Sequence, residues 1–358
     1  MTIYLDYQAT TPLAPEALEA MLPWLRDHFA NPHSPHRDGR TAAAAIDVAR
    51  DAVAALLPPG GRVLFTSGAT EALNWALRCT AQGGLAVAAT EHAAVLDTAQ
   101  WLATQGRSVS LLPVDQNGLL PPDTALPTGT GLVAAMLVNN EIGVIQPITE
   151  LAAAAHEAGA LFLCDAVQGY GRMPLPEGPD LIAVSAHKIH GPKGIGALWV
   201  RDGIAISPLI HGGGQEGGLR SGTLSPALCA GFGAAAQLAA RRMAEDAAHI
   251  AQLWDMACGM LPQGWTINGS TTARYRGNLN IRKAGVDVAR LMSDLRHIAF
   301  AAGSACASGS GRPSHVLRAL GLSDAEAKSS IRIGFGRATL EEDLRSALKE
   351  IFRAADAQ

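Results

Sequence analysis

The sequence predicts an α/β protein: a mostly parallel sheet between helices, followed by a smaller α+β unit. Three observations carry this. Short, near-continuously apolar runs recur at VLFT (63–66), LAVAAT (85–90), LVAAMLV (132–138), ALFLCD (160–165), LIAVS (181–185) and GALWV (196–200), as expected of strands covered on both faces. Helix-like stretches lie between them, and that alternation argues for crossover units and parallel strands. After Thr223 the pattern changes to a long helical stretch, then short strands mixed with helices.

EALNWALRCTA (71–81) and TELAAAAHEAG (149–159) read as helices, the second closing on Gly159, since glycine tolerates the left-handed turn that ends a helix. Residues 225–261 read as one long helix, or two end to end, stopped by Pro262. Beyond it WTIN, LNIR and IRIGFG read as strands, and DVARLMSDLRH (287–297) and EEDLRSALKEIFRAAD (341–356) as helices. The boundary between the two units falls inside the long helix.

Composition excludes several roles. The chain carries 28 basic and 32 acidic residues, a formal charge of −4, with no basic block, so nucleic acid is not expected as a partner. No run of about 18 apolar residues is present, so no membrane span is expected. The opening, MTIYLDYQATTPLAPE, lacks a basic n-region and an apolar h-region, so no secretory signal is read and a cytoplasmic location is expected. Five cysteines lie scattered without a CxxC pair, so neither a zinc knuckle nor a disulfide framework is indicated. Cys79, Cys164, Cys229 and Cys258 sit in apolar stretches and are expected to be small buried hydrophobes. Cys306 sits in GSACASGSG, where packing gives no reason for a cysteine. A mobile, exposed thiol that reaches a buried site is the functional reading.

Ligands of such sheets gather at the carboxyl ends of the strands. FTSGATEAL leaves a strand, turns through Gly68 and enters a helix near Thr70. Amides at a helix start, with the Thr70 hydroxyl, suit a phosphate, although the same residues serve as ordinary caps. Asp165 ends a buried strand, where a carboxylate needs a cation or donor; a protonated ring nitrogen would serve, and so would the start of the next helix. In DLIAVSAHKIHGPKGIGAL a strand ends at Ser185, and His187 and Lys188 follow. Burial lowers a lysine's pKa and makes it an imine-forming amine. A lysine Schiff base with an aspartate at the pyridinium nitrogen is the equipment of pyridoxal phosphate chemistry. Lys193 is the rival amine, which spacing alone does not exclude. His92, just past a strand, could stack on a flat cofactor or carry protons, or be a helix-terminal residue without a role. Asn139 and Asn140 could hold a ring oxygen or carboxylate, or form a turn. The glycine-dense HGGGQEGGLRSGT (211–223) lets backbone approach a ligand or a second chain. Arg332 could clamp a substrate carboxylate with two parallel hydrogen bonds, or form a surface ion pair.

Taken in order, YLDYQATTP, FTSGATEALN, TEHAAVLD, VNNEIGV, CDAVQ, SAHKIHGPKGIGAL, HGGGQEGGLRSGT, GSACAS, VLRALGL and SSIR resemble the NifS/IscS-type cysteine desulfurases, within the class V aminotransferase family of fold type I pyridoxal-phosphate enzymes. The resemblance runs from about Tyr4 to about Arg337. It implies a large domain with a mostly parallel seven-stranded sheet over residues 13–245, and a small α+β domain of residues 1–12 and 246–358 carrying the cysteine loop. It implies pyridoxal 5′-phosphate as cofactor and L-cysteine as substrate. Lys188 would hold the cofactor covalently, Asp165 would pair with the pyridinium nitrogen, His92 would stack on the ring and shuttle protons, and Gln168 would hydrogen-bond the phenolic oxygen. Ala69 through its backbone, Thr70, Ser185 and His187 would bind the phosphate. Thr223 would reach the phosphate of the partner subunit, so a homodimer is implied. Asn140 and Arg332 would bind the substrate carboxylate, and Asn140 would also border the cofactor. Cys306 would attack the substrate sulfur and carry it as a persulfide to an acceptor such as an iron–sulfur scaffold protein. No metal is expected in the resting site, contact of Cys306 with iron–sulfur being expected only during transfer. Gly217 stands where members of the family usually carry a basic residue. The sequence ends on IFRAADAQ, so the resemblance implies a C-terminal segment shorter than the one by which the housekeeping enzymes dock their scaffold; that bears on the acceptor, not on the chemistry.

Overall fold

The structure is a computed structural model that describes residues 2–80, 82–303 and 313–358. Cys306 and its neighbours Ser304, Ala305, Ser308 and Gly309 lie outside the described residues. The chain opens with a short strand, β1 (Ile3–Tyr4), and helices α1 (Pro15–Arg26) and α2 (Arg37–Ala54). Alternation follows: β2 (Gly61–Thr66), α3 (Ala69–Cys79), β3 (Gly84–Ala88), α4 (Ala93–Thr104), β4 (Val109–Leu112), β5 (Thr130–Met136), α5 (Ile148–Glu157), β6 (Leu161–Asp165), β7 (Leu181–Ser185) and β8 (Gly196–Arg201). The 34-residue α6 (Pro226–Gly259) leads into β9 (Thr266–Ile267), β10 (Asn278–Arg282), α7 (Val288–Asp294), β11 (Ile298–Ala299), β12 (Ala301–Ala302), α8 (His315–Ala319), α9 (Asp324–Lys328), β13 (Ser330–Gly334) and α10 (Glu341–Asp356).

The expected sheet has seven strands in the order β2-β8-β7-β6-β5-β3-β4. Its pairs from β7 to β4 are parallel, and β8 runs antiparallel to both β7 and β2. Alternation along the strands sorts side chains to two faces. Phe65, Val133, Phe162, Ile182 and Trp199 join one core with residues of α2, α5 and α6. Leu64, Leu85, Leu132, Leu163 and Leu198 join another with α3 and α4. Both faces are covered, which is why the strands read as continuous apolar runs. The edge strand β4 was not foreseen: it has four residues, and Leu111 is exposed.

The stretch the sequence leaves as one helix or two is one helix. Ser225 caps it through its Oγ, which accepts from Leu228 N at 3.3 Å, and Pro226 stands at its first turn, where a missing N–H costs nothing. Gly233 lets it lie against α2, since a Cβ there would sit 2.8 Å from Ala49 Cα. Its first half is buried with the large sheet, and Ile250, Leu253, Trp254 and Ala257 of its second half belong to a separate core. That core also holds Leu279, Ile281, Ile331, Ile333 and the apolar stripe of α10. The four-stranded antiparallel sheet behind it has the order β12-β13-β10-β9, and β1 pairs with β11 alone. Gly159, as expected, takes φ +74° after α5. Cys164 and Cys229 are buried, but Cys79 and Cys258 are only partly so; each lies near a helix end, which apolar context does not reveal. Among the described residues no helix is long and apolar enough to cross a membrane.

Candidate active site

The carboxyl ends of β2, β3, β5, β6 and β7 open on one cleft of about 520 Å³. At the end of β2 the chain passes through Ser67 and Gly68 into α3, whose first amides no side chain caps among the described residues. Uncapped amides at a helix start favour an anion. Gly196 of β8 lies against this turn, and a Cβ there would come within 2.8 Å of Gly68 backbone. Ala69, Thr70, Ser185 and His187 line the same cleft. His187 Nδ1 lies 3.1 Å from Thr10 Oγ1. Burial, with Lys188 and Lys193 nearby, pushes its pKa down to about 4, so it is neutral near pH 7.

Asp165, at the end of β6, is buried, and its Oδ1 accepts from Val167 N at 3.0 Å. Burial raises its pKa; the hydrogen bond from Val167 and the positive fields of His92 and Lys188 oppose that rise. His92 caps α4 through Nδ1, which accepts from Ala94 N at 3.0 Å. Glu91 beside it is a second buried acid, with no local signal in the sequence. Its Oε1 accepts from Met136 N at 2.6 Å, and burial, then the charge of Asp165, hold its pKa well above the usual carboxylate range.

Lys188 follows β7 and projects its Nζ to Gln8 O and Ala9 O, 2.7 Å from each. Burial, then the charges of Arg172 and Arg332, bring its pKa down to about 8. Lys193 borders the cleft from an exposed position. The neutral amine is the nucleophile, and its fraction grows as pH rises through the pKa. Uptake of an aldehyde cofactor by the apoprotein is therefore expected to rise with a midpoint near pH 8; stopped-flow absorbance would report it, and a midpoint near 10.5 would mark an ordinary lysine.

Gln168 also lines the cleft. Its Nε2 donates to Gln8 O at 2.9 Å, and its Oε1 accepts from Arg172 Nη1 at 2.6 Å. Arg172 in turn donates to Lys188 O at 2.8 Å. The bracing by Gln8 is invisible in the local pattern, because it lies 160 positions from Gln168, whereas Arg172 is only four residues on. Asn140 borders the cleft, whereas the Asn139 side chain builds the turn beneath it, accepting from Glu141 N and Ile142 N at 2.9 and 3.0 Å. Arg332, from β13, is fully buried and reaches the same cleft. It is no surface ion pair.

Thr223 is exposed and is not brought into the cleft of its own chain. The glycine-dense loop before it is anchored rather than loose. Glu216 Oε1 and Oε2 accept from Arg50 at 2.8 Å each, and Oε2 also accepts from Phe65 N at 2.7 Å. Arg220 forms a second two-pronged bond with Glu71. Gly217 takes φ +65° with open space around its Cα. Glu216→Ala leaves the Phe65 amide without its acceptor and strips Arg50 of its two-pronged partner, and is expected to cost about 3 kcal/mol of stability; thermal unfolding checks this, and an unchanged melting temperature would contradict the anchor.

A phosphorylated pyridine aldehyde fits these residues. An uncapped helix start meets a phosphate, a buried carboxylate meets a ring nitrogen, and a desolvated amine meets an aldehyde. Arg332 Nε, buried and without a partner among the described residues, offers a donor to an acidic substrate. Fold and site together define a pyridoxal-phosphate enzyme of fold type I. The model of the class V aminotransferases matches residues 3–346, and the chain belongs to that family. It is 40% identical over 375 residues to the cysteine desulfurase IscS of Rickettsia akari (strain Hartford), covering 99% of this chain and 92% of that one. Among solved structures it superposes on a NifS-like protein with TM-score 0.91 and 32% identity, each chain covered completely. It also matches SspA in complex with cysteine, with TM-score 0.84 and 35% identity, over 95% of this chain and all of that one.

Proposed function

We propose that this chain is a pyridoxal-phosphate-dependent cysteine desulfurase that converts L-cysteine to L-alanine and leaves the sulfur as a persulfide on Cys306. The observation that carries the reading is the desolvated Lys188 amine, at a pKa of about 8, in one cleft with Asp165, His92 and Arg332. When bound, the cofactor supplies the electron sink that acidifies the substrate Cα–H. Ala69 N, Thr70, Ser185 and His187 hold its phosphate, Asp165 its ring nitrogen, Gln168 its phenolic oxygen, and His92 covers its ring. Asn140 and Arg332 hold the substrate carboxylate. Lys188, once free, takes the proton from Cα, and the low pKa suits that exchange near neutral pH. The Cys306 thiolate forms an S–S bond to the substrate sulfur as the C–S bond breaks. The electron pair of that bond stays with carbon, which gains a proton and becomes the methyl group of alanine.

The reading extends to partners and organisation. The sulfur passes to an acceptor, an iron–sulfur scaffold or another thiol-bearing protein. A homodimer is supported by exposed Thr223 and by the apolar side chains of Leu18, Leu25 and Phe29 on and after α1, Phe29 being 93% exposed, since large exposed apolar groups in one region mark association surfaces. The division into residues 13–245 against 1–12 with 246–358 is supported by the two cores that α6 joins. A nucleophilic thiol that must stay reduced suits the cytoplasm.

The test mixes purified protein, cofactor, L-cysteine and a reductant. Sulfide and alanine in equal amounts are expected. Amino transfer that needs a keto acid and survives Cys306→Ala would overturn the reading in favour of an aminotransferase. A colourless protein that takes up no cofactor would overturn it in favour of a non-catalytic one.

A further inference from the structure

Arg332 is a buried cation that must meet a ligand carboxylate, yet it already has one. Its Nη2 donates to Asp6 Oδ1 at 2.6 Å and its Nη1 to Asn140 O at 3.1 Å. Asp6 is not a side chain swinging in from solvent. The opening segment runs along β13 through the Asp6–Gly334 bridge, and Gly334 N donates to Leu5 O at 2.7 Å. Asp6 O accepts from Ala9 N at 3.0 Å and from the Tyr4 hydroxyl at 3.2 Å. The main chain thus holds Asp6 two register positions from Arg332, and its side chain is only 23% exposed.

We propose that Asp6 is the resident counter-ion of Arg332: a positioning residue that orients the guanidinium before a ligand binds and, as a like charge, holds down the affinity of the cleft for the carboxylates of substrate and product. The inference rests on the amino-acid reading of the cleft. A buried guanidinium without a counter-ion is costly, and Asp6 removes that cost between turnovers. An entering carboxylate then meets a cation already neutralised and is repelled by the acid behind it. Substrate L-cysteine and product L-alanine carry the same amine and carboxylate, so the device weakens both and favours product release.

The experiment titrates the holoenzyme with L-alanine and with cysteamine, which is cysteine without its carboxylate, following the absorbance of the bound cofactor. Asp6→Asn keeps an oxygen for Nη2 and removes the charge. Its dissociation constant for L-alanine is expected to fall about tenfold, while that for cysteamine stays within about twofold. Asp6 also favours the charged form of Lys188, but both ligands engage that site by the same amine, so their ratio cancels this effect. Asp6→Glu, which keeps the charge, is expected to return the ratio to the wild-type value. Should Asp6→Asn fail to fold, Asp6→Ser carries the same expectation. An unchanged or weakened L-alanine affinity in the neutral variant, or a parallel shift for both ligands, overturns the proposal. Wild-type holoenzyme that binds neither ligand overturns the functional reading beneath it, and that is read before any variant is compared.

Discussion

Lys188→Ala is expected to abolish desulfuration, lowering kcat by about four orders of magnitude or more, because in the proposed mechanism one side chain serves as both cofactor anchor and base. The fold should survive. The Nζ is held by two carbonyls of Gln8 and Ala9 in a site that disfavours its charge, so removing it takes away a desolvated ammonium rather than a structural pair. The pH dependence of stability gives the sign. Between about 8 and the ordinary 10.5 the unfolded chain binds a proton that the folded apoprotein does not. Wild-type apoprotein should therefore gain stability over the variant as pH rises through that window. Alanine and sulfide release measure the first effect, and thermal melts of the two apoproteins from pH 7 to 10, values chosen about the pKa window, measure the second. Turnover that survives Lys188→Ala but is lost in Lys193→Ala would reverse the assignment.

Cys306→Ser is expected to separate binding from sulfur transfer. The variant keeps Lys188, Asp165 and Arg332, so L-cysteine should still change the absorbance of the bound cofactor. A hydroxyl cannot take up the substrate sulfur as a persulfide, so sulfide release should fall by about three orders of magnitude. Intact-mass measurement should show one added sulfur on the wild type after cysteine and none on the variant. Normal sulfide release from Cys306→Ser would end the persulfide reading.

Much of this was legible because the informative signals are local. Apolar runs gave the strands, and the polar residues at their ends gave Asp165, Ser185, His187 and Lys188, which the cleft does bring together. What stayed hidden depends on distant partners. Nothing around Asp6 predicts that it meets Arg332, 326 positions away. Nothing local singles out Gln8 and Ala9, yet their carbonyls hold Lys188. Glu91 carries no local signal of its burial beside Asp165. The glycine-dense loop shows locally only its freedom of backbone approach, whereas its anchors, Arg50 and Glu71, lie in other elements. Strand β4 escaped because a short, half-exposed edge has no continuous apolar pattern.

The most direct test of the account fixes the cofactor to the holoenzyme with borohydride, digests it and locates the modified residue by fragmentation mass spectrometry. The account predicts the adduct on Lys188. An adduct on Lys193, or a cofactor that washes away with no lysine modified, would contradict it.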